Sequence, residues 1–157
     1  MGLGEWGGDA GRGGLRLLRV EALRNVKRAT IVTEARVIVL AGGNGAGKTT
    51  LLEAIYLAVR GKSFRGKKAG PLTSFGKERM VVEGGFERPN GDWLKVRCER
   101  GRTGIQRSVF PASWGDDGVS GLPVKVKLVP ENAQLLIDGE PEIRRRFLDW
   151  NVYHMQP

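Results

Sequence analysis

Alternating apolar and polar residues occupy several short stretches in the first 110 positions of the chain. Such alternation is typical of strands with one buried and one solvated face. It predicts strands over residues 15–20, 28–32, 80–86, 93–98 and 105–110. Leu-Arg-Asn-Val at 23–26 and Pro-Asn-Gly at 89–91 are turn signals between neighbouring strands. The pattern therefore predicts short strands joined by turns, with an antiparallel patch near residues 80–110.

A different pattern lies between residues 37 and 59. Val-Ile-Val-Leu at 37–40 is a continuous apolar run, which favours a strand buried on both faces, as in a parallel or mixed sheet. A glycine cluster follows, and residues 50–59 are then rich in helix formers. The apolar positions of this helix are Leu51, Leu52, Ile55 and Val59. The order of strand, glycine cluster and helix predicts an α/β fold.

The two ends of the chain differ from the middle. Residues 1–14 form a Gly-rich leader without periodicity, for which we expect disorder. Beyond a polar loop at 111–121, residues 124–129 alternate and predict one more strand. Pro130 opens a short predicted helix, and a second helix is predicted from Glu142 to Tyr153. The chain is therefore expected to comprise a leader at 1–14, a main lobe at 15–129 and a helical segment at 130–157.

Composition narrows the class of protein further. The chain has 157 residues, enough for about one domain. A single cysteine, Cys98, excludes an intrachain disulfide framework and a cysteine-based zinc site. A single histidine, His154, three residues from the end, argues against a Ser-His-Asp triad and a histidine metal cluster. No apolar run approaches the roughly 18–20 residues of a membrane helix, and the leader has no signal-peptide core, so we expect a cytoplasmic protein with no membrane partner. Trp93 and Trp150 are predicted to lie in the core, and Cys98 and His154 are predicted to be structural or incidental rather than reactive.

Residues 42–49 fit G-x-x-x-x-G-K-[ST], the pattern of a phosphate-binding loop. The glycines let successive backbone N–H groups face the phosphates, and the following helix adds the positive end of its dipole. Lys48 is suited to the β- and γ-phosphates, and the Thr49 hydroxyl is suited to Mg²⁺. The predicted nucleotide-binding residues of the loop are Gly42, Gly43, Asn44, Gly45, Ala46, Gly47, Lys48, Thr49 and Thr50.

The loop in this setting resembles the RecF family of ABC-type ATPases. Four other segments carry the resemblance: 17–25 ending in Arg-Asn, Leu-Glu-Ala-Ile-Tyr at 52–56, Gly-Lys-Ser-Phe-Arg at 61–65, and 130–149. The last looks like the family's P-E-D…R-R-R-F-L-D segment, with Asn132 in place of Asp. Leu23 stands where the family has Phe. The resemblance spans about residues 15–157.

This resemblance implies an ABC-type ATPase head, with residues 15–129 as a first lobe of mixed sheet plus antiparallel patch, and 130–157 as the start of a helical lobe. It implies ATP and Mg²⁺ as cofactors, an ATP-dependent homodimer, and binding of DNA at single-strand gaps or junctions. By the same resemblance, RecO- and RecR-type partners help to load RecA during DNA repair, replication and the SOS response. Arg24 and Asn25 lie on a turn that approaches the nucleotide in related heads, which implies that they contact it.

Two elements that ABC-type hydrolysis needs are absent from the sequence. A Walker B strand ends in Asp and Glu, but the only acidic doublet, at 116–117, follows Trp-Gly instead of an apolar strand. Ser120 and Gly121 lack the context of an S-G-G-Q-like signature. In the family both elements lie further along the chain. We therefore expect an N-terminal part of a RecF protein that has no catalytic residues and binds ATP without measurable hydrolysis.

Five cations and no acids lie between residues 60 and 68, in a chain with a net charge of +9. Such a cluster is suited to DNA phosphates, and it is equally typical of a solvated loop. The predicted DNA contacts are Arg60, Lys62, Arg65, Lys67 and Lys68.

Two other functions are compatible with the phosphate loop. A small P-loop kinase or transferase would need arginines near an acceptor site and an Asp base at a strand end, which the three predicted strands after the first helix fit poorly. The second alternative is a non-catalytic nucleic-acid-binding module with a vestigial phosphate loop. A phosphate-acceptor screen tests for the kinase or transferase, and ATP binding with and without Mg²⁺ tests for the nucleic-acid-binding module.

Overall fold

The computed structural model describes residues 13–65, 70–88, 91–101, 104–110, 124, 126–129, 141, 142 and 145. The chain divides into two compact units, Met1–Val126 and Lys127–Pro157. The elements of the first unit are β1 (Gly14–Leu23), β2 (Val26–Val32), α1 (Lys48–Arg60), β3 (Met80–Glu87), β4 (Trp93–Gly101) and β5 (Gly104–Phe110). No helix in this described part of the chain is long and apolar enough to cross a membrane.

In the second unit, residues 141, 142 and 145 are helical, where the sequence predicts the second of the late helices. The rest of that helix lies outside the described residues. The same holds for the short helix predicted after Pro130, the polar loop at 111–121 and most of the leader.

Strands β1 to β5 form one sheet in the order β2-β1-β3-β4-β5. Each neighbouring pair is antiparallel, so the described strands contain no parallel pair. The five strands predicted from alternation are present, and Arg24 and Asn25 form the two-residue turn between β1 and β2. Between β3 and β4 the chain reverses where the Gly91 N–H donates to the Arg88 carbonyl at 2.9 Å. Period-two alternation therefore located the sheet correctly.

The apolar run at 37–40 does not form the predicted doubly buried strand. Val37 and Val39 are 55% and 51% exposed, whereas Ile38 and Leu40 are half-buried. A strand needs a neighbouring strand to pair with its backbone, and no described strand pairs with this run. The strand predicted at 124–129 is likewise absent from described residues 124 and 126–129.

Helix α1 packs on one face of the sheet and forms the core with it. The completely buried side chains here include Val20, Val82, Val96 and Leu57. Burial of each such side chain stabilises the fold by about 1.5–3 kcal/mol relative to exposure. Gly84 allows the close approach, since a Cβ there would lie 3.2 Å from the Cβ of Ala58 and 2.7 Å from Cε2 of Phe86.

The buried stripe of α1 differs from the predicted one. Its buried residues are Thr50, Leu51, Glu53, Ala54, Leu57, Ala58 and Val59. Leu51 and Val59 are buried as predicted, Ile55 is half-buried, and Leu52 is exposed. Positions 50, 54 and 57 recur at helical spacing and bring Glu53 inward, which turns Leu52 towards solvent.

The sheet face opposite α1 carries buried and exposed charges. The Glu83 carboxylate is buried and accepts a hydrogen bond from Arg97 at 2.8 Å, with Lys95 at 3.6 Å and Arg19 at 3.5 Å. Burial raises the pKa of Glu83, but the Arg97 hydrogen bond and the three cations outweigh it, so the pKa lies below its ordinary value. The carboxylate therefore stays charged at neutral pH.

Trp93 is not in the core, contrary to the prediction, because its side chain is 57% exposed. It starts β4 and alternates with the buried Leu94, which faces the helix side. Trp93 consequently lies on the sheet face opposite α1, where no described element covers it. Trp150 and His154 lie outside the described residues.

Cys98 is buried in the core, and burial raises the pKa of its thiol to about 11. Only the thiolate attacks disulfide reagents. We expect the native chain at pH 7.5 to react with Ellman's reagent about 100-fold more slowly than the chain unfolded in guanidinium chloride. A Cys98→Ser variant serves as the blank, and equal rates in both states would contradict the prediction.

Candidate functional site: a phosphate-binding loop

Gly47 links the phosphate loop, residues 42–49, to helix α1. Its φ of 95° lies in the left-handed region that favours glycine. A Cβ at this position would lie 2.7 Å from Cγ2 of Val26, so the hairpin also excludes a side chain. The Gly47 carbonyl accepts the Leu51 N–H at 2.9 Å and starts the helix directly from the loop. Glycine at this position lets the loop, helix and β1–β2 hairpin meet.

The N-terminus of α1 is suited to an anion. Its first turn contains no acidic residue, and no side chain of the described structure caps it by a hydrogen bond. The N–H groups of a first helical turn and the helix dipole both favour a negative ligand when no cap satisfies them. The loop residues Gly42 to Ala46 are exposed, and the Ala46 N–H closes a turn on the Gly43 carbonyl at 3.3 Å.

Lys48 places a positive charge at this loop. Its Nζ donates to the carbonyl oxygens of Gly42 at 2.7 Å and Gly43 at 2.8 Å. An ammonium group has three donors and no acceptor, so it can hold two carbonyls and still offer a donor to an anion. Lys48 therefore lies at the loop that the sequence predicts to bind phosphate.

Thr49 is exposed beside Lys48, and Thr50 is buried. The described residues contain no group of three or more His, Cys, Asp or Glu side chains that could hold a metal ion. Mg²⁺ in nucleotide sites takes most of its ligands from phosphate oxygens and water, with few from protein. The exposed Thr49 hydroxyl fits such a single protein ligand.

Asn25 attaches the β1–β2 turn to the loop. Its Nδ2 donates to the Gly45 carbonyl at 2.6 Å, and its Oδ1 accepts from the Thr50 hydroxyl at 2.8 Å. One amide group thus joins the loop and the first turn of α1. The structure therefore brings Asn25 to the phosphate loop, and its predicted direct contact with a nucleotide stays a prediction.

Arg24 points from the same turn to a buried carboxylate instead of the loop. Its Nε and Nη2 donate to the two oxygens of Glu53 at 2.5 and 2.8 Å. Glu53 is 0% exposed and also accepts a hydrogen bond from the hydroxyl of Ser63, while Arg65 lies 4.0 Å away. The forked pair is the geometry that a guanidinium and a carboxylate favour. Contact of Arg24 with a nucleotide remains a prediction.

Glu53 is ionised in the folded protein. Burial raises the pKa of Glu53, but hydrogen bonds from Arg24 and Ser63 and the charges of Arg24 and Arg65 outweigh it, so the pKa lies below its ordinary value. A carboxyl whose pKa falls on folding stabilises the fold above its unfolded pKa of about 4.3. This contribution is lost as the pH falls through the pKa of the folded state.

The described part of the basic cluster follows the helix. Arg60 lies in the last turn of α1, where a cation complements the helix dipole. Lys62 and Arg65 are exposed, although Arg65 also approaches Glu53. Lys67 and Lys68 lie outside the described residues. Contacts of all five cations with DNA remain predictions.

Sequence reasoning missed Glu53 and Ser63 as parts of the site. A charged residue in an amphipathic helix is normally solvated, and both partners of Glu53 come from other segments. The position of Glu53 on the helix was a usable signal of its burial. It lies three residues after Thr50 and one before Ala54, on the stripe of α1 that packs against the sheet.

A family profile described as an AAA domain (AAA_23) matches residues 17–117, which contain the phosphate loop and nearly the whole sheet. Among curated proteins, the "DNA replication and repair protein RecF" of Pseudomonas putida (strain GB-1) is 34% identical over 146 residues. The protein of the same name from Cellvibrio japonicus (strain Ueda107) is 32% identical over 143 residues. These alignments cover 91% and 90% of the chain, which spans 39% of the length of each relative.

Two solved structures are similar to the chain. The "recombination mediator protein RecF-ATP in RecFOR pathway" gives a TM-score of 0.66 at 27% identity, over 92% of this chain and 40% of that one. The RecF-ATPrS structure of the same pathway gives 0.59 at 26% identity, over 88% of this chain and 38% of that one. These matches confirm the predicted α/β class, that of an ABC-type ATPase head, and the expected resemblance to RecF proteins. Since the profile covers more than half of its residues, the chain belongs to the AAA domain family.

Proposed function

We propose that the chain is an ATP-binding part of a RecF-type DNA replication and repair protein. The observation that carries the proposal is the phosphate loop at 42–49, held between α1 and the β1–β2 turn with Lys48 over it. The similarity to the RecF-ATP structure supports the choice of nucleotide.

ATP and Mg²⁺ are the ligands that this site fits. The loop and the uncapped start of α1 would hold the phosphates, Lys48 would neutralise the β- and γ-phosphates, and the Thr49 hydroxyl would bind Mg²⁺. The Walker B strand and signature sequence are absent, so we expect binding without measurable hydrolysis. ATP turnover by this chain that Lys48→Ala abolishes would contradict that expectation.

Lys48→Ala is expected to weaken Mg–ATP binding at least tenfold, because it removes the cation that lies over the loop. Isothermal titration calorimetry of the 157-residue chain measures the dissociation constant. Lys62→Ala, which removes an exposed lysine outside the loop, is the matched control and should bind as tightly as the wild type. Equal binding by Lys48→Ala would exclude the loop as the ATP site.

DNA with single-strand gaps or junctions is the second proposed ligand. The basic cluster at residues 60–68 would bind it. RecO- and RecR-type partners, assistance to RecA loading, an ATP-dependent homodimer and action in the cytoplasm complete the proposal. The relatives' names, which include DNA replication and repair and the RecFOR pathway, support these assignments.

Removing three charges from the cluster with Lys62→Gln, Lys67→Gln and Lys68→Gln is expected to weaken binding to gapped DNA. The slope of log K against log salt should also become shallower, because each lost phosphate contact removes about 0.7–0.9 from it. The control is a triple variant that removes three exposed cations elsewhere, Lys27→Gln, Arg36→Gln and Lys77→Gln. Equal effects of both triple variants in fluorescence anisotropy would assign DNA binding to net charge alone.

A further inference from the structure

The two residues of the β1–β2 turn connect a buried carboxylate to the phosphate loop. Arg24 binds Glu53 through two hydrogen bonds, and its neighbour Asn25 binds Gly45 and Thr50. The turn therefore touches the loop on one side and the interior of the fold on the other.

Asn25 fixes the direction of one peptide group in the loop. Its Nδ2 holds the Gly45 carbonyl at 2.6 Å, and its Oδ1 is held in turn by the Thr50 hydroxyl at 2.8 Å. A carbonyl that is held in this way cannot turn its negative end towards a bound phosphate. The loop's affinity for an anion thus depends on where the Asn25 amide lies.

Glu53 fixes the position of Asn25 through the adjacent residue. Arg24 has a φ of 49°, a left-handed conformation that non-glycine residues seldom adopt. Two sets of hydrogen bonds hold the turn in this conformation. The Arg24 guanidinium donates to both oxygens of Glu53 at 2.5 and 2.8 Å, and the Arg24 backbone N–H donates to the Leu72 carbonyl at 2.7 Å. The carboxylate is fully buried, so its own position is set by the packing of α1.

A carboxylate is the side chain that this position requires. Glu53 accepts from Arg24 on both oxygens and from the Ser63 hydroxyl on one of them. A glutamine has a single acceptor oxygen and would direct N–H groups at one of these donors. Replacement by glutamine therefore breaks the fork with almost no change in volume.

We infer that Glu53 is a positioning residue for phosphate binding, which acts through Arg24 and Asn25 on the Gly45 carbonyl. This inference rests on the proposed binding of ATP at the loop. Glu83 provides the matched contrast, because it is also a buried carboxylate held by cations. Those cations lie on β1 and β4, outside the phosphate loop.

The test is a double-mutant cycle on the full 157-residue chain, with Mg–ATP dissociation constants and thermal midpoints measured for each protein. The variants are Glu53→Gln, Asn25→Ala, their combination, and Glu83→Gln. We expect Glu53→Gln and Asn25→Ala each to weaken Mg–ATP binding about tenfold. The combination should be no more than about twofold weaker than Asn25→Ala alone, because Glu53 acts through Asn25. Glu83→Gln should lower the midpoint and leave the dissociation constant within about twofold.

Several results would overturn the inference: Glu53→Gln binding like the wild type, equal losses for Glu53→Gln and Glu83→Gln, or multiplicative losses in the combination. Wild-type chain that binds no Mg–ATP would instead overturn the proposed function itself. If Glu53→Gln shows no cooperative unfolding, Arg24→Lys replaces it in the cycle, since lysine keeps a cation at Glu53 but cannot form the fork. Arg24→Lys is then expected to weaken Mg–ATP binding about tenfold. Adding Asn25→Ala to it should weaken binding no further than Asn25→Ala alone does. Wild-type affinity of Arg24→Lys would refute the inference.

Discussion

Replacing Arg24 by methionine is expected to lower the free energy of unfolding by about 3–5 kcal/mol. The substitution removes the two hydrogen bonds that neutralise Glu53, and this fully buried carboxylate keeps only the Ser63 hydroxyl and the Arg65 guanidinium at 4.0 Å among its described partners. Arg65, at 4.0 Å and partly exposed, is too distant to replace the fork. Equilibrium unfolding in guanidinium chloride measures the change.

The matched control is Arg97→Met on the other face of the sheet. Glu83 would lose the Arg97 hydrogen bond but keep Lys95 and Arg19, so we expect the free energy of unfolding to fall by about 1 kcal/mol.

The pH dependence of stability gives a second check on Arg24→Met. The pair stabilises the wild type above the unfolded pKa of Glu53, about 4.3, and this advantage disappears as the pH falls through the lowered pKa of the folded state. A stability difference that stays constant from pH 7 to pH 3 would be evidence against the ion pair.

Replacing Gly47 by alanine is expected to destabilise the fold by about 3 kcal/mol and to abolish detectable Mg–ATP binding. The left-handed conformation accounts for about 1–2 kcal/mol, and a Cβ at 2.7 Å from Val26 adds overpacking of about 1–3 kcal/mol. Because relief of the contact moves the loop against the hairpin, the phosphate site is displaced as well. Chemical denaturation and calorimetric titration measure the two effects.

Gly45→Ala separates conformation from contact. Gly45 has a similar φ of 78°, but a Cβ there would meet nothing within 4 Å. We expect this variant to lose about 1–2 kcal/mol, the conformational part alone. Equal losses at both glycines would mean that the Val26 contact relaxes without strain.

The sheet and the loop could be predicted because their signals are local. Turn chemistry at Arg24 and Asn25, period-two alternation in the strands and the glycine pattern at 42–47 each act over a few residues. The helix start at Lys48 likewise follows from the loop that precedes it. No information from distant segments was needed for these elements.

Features that depend on partners distant in sequence could not be predicted. Glu53 is buried because Arg24 lies 29 positions before it and Ser63 ten positions after it, and neither spacing follows a helical or strand period. The run at 37–40 has the composition of a strand but lacks a described neighbour to pair with. Trp93 is as apolar as a core residue, yet its face of the sheet receives no helix from the described chain. Apolar character alone does not say which surfaces become covered.

The two hydrogen bonds from Lys48 to the carbonyls of Gly42 and Gly43 leave one ammonium proton for a ligand. Any further bond from a ligand to this ammonium group has to displace one of the two carbonyls. A neutral ligand offers bonds of equal strength and gains little, whereas each ionised phosphate oxygen forms a bond roughly twice as strong. At the proposed ATP site, we therefore expect Lys48 to favour polyphosphates over uncharged mimics of the same shape.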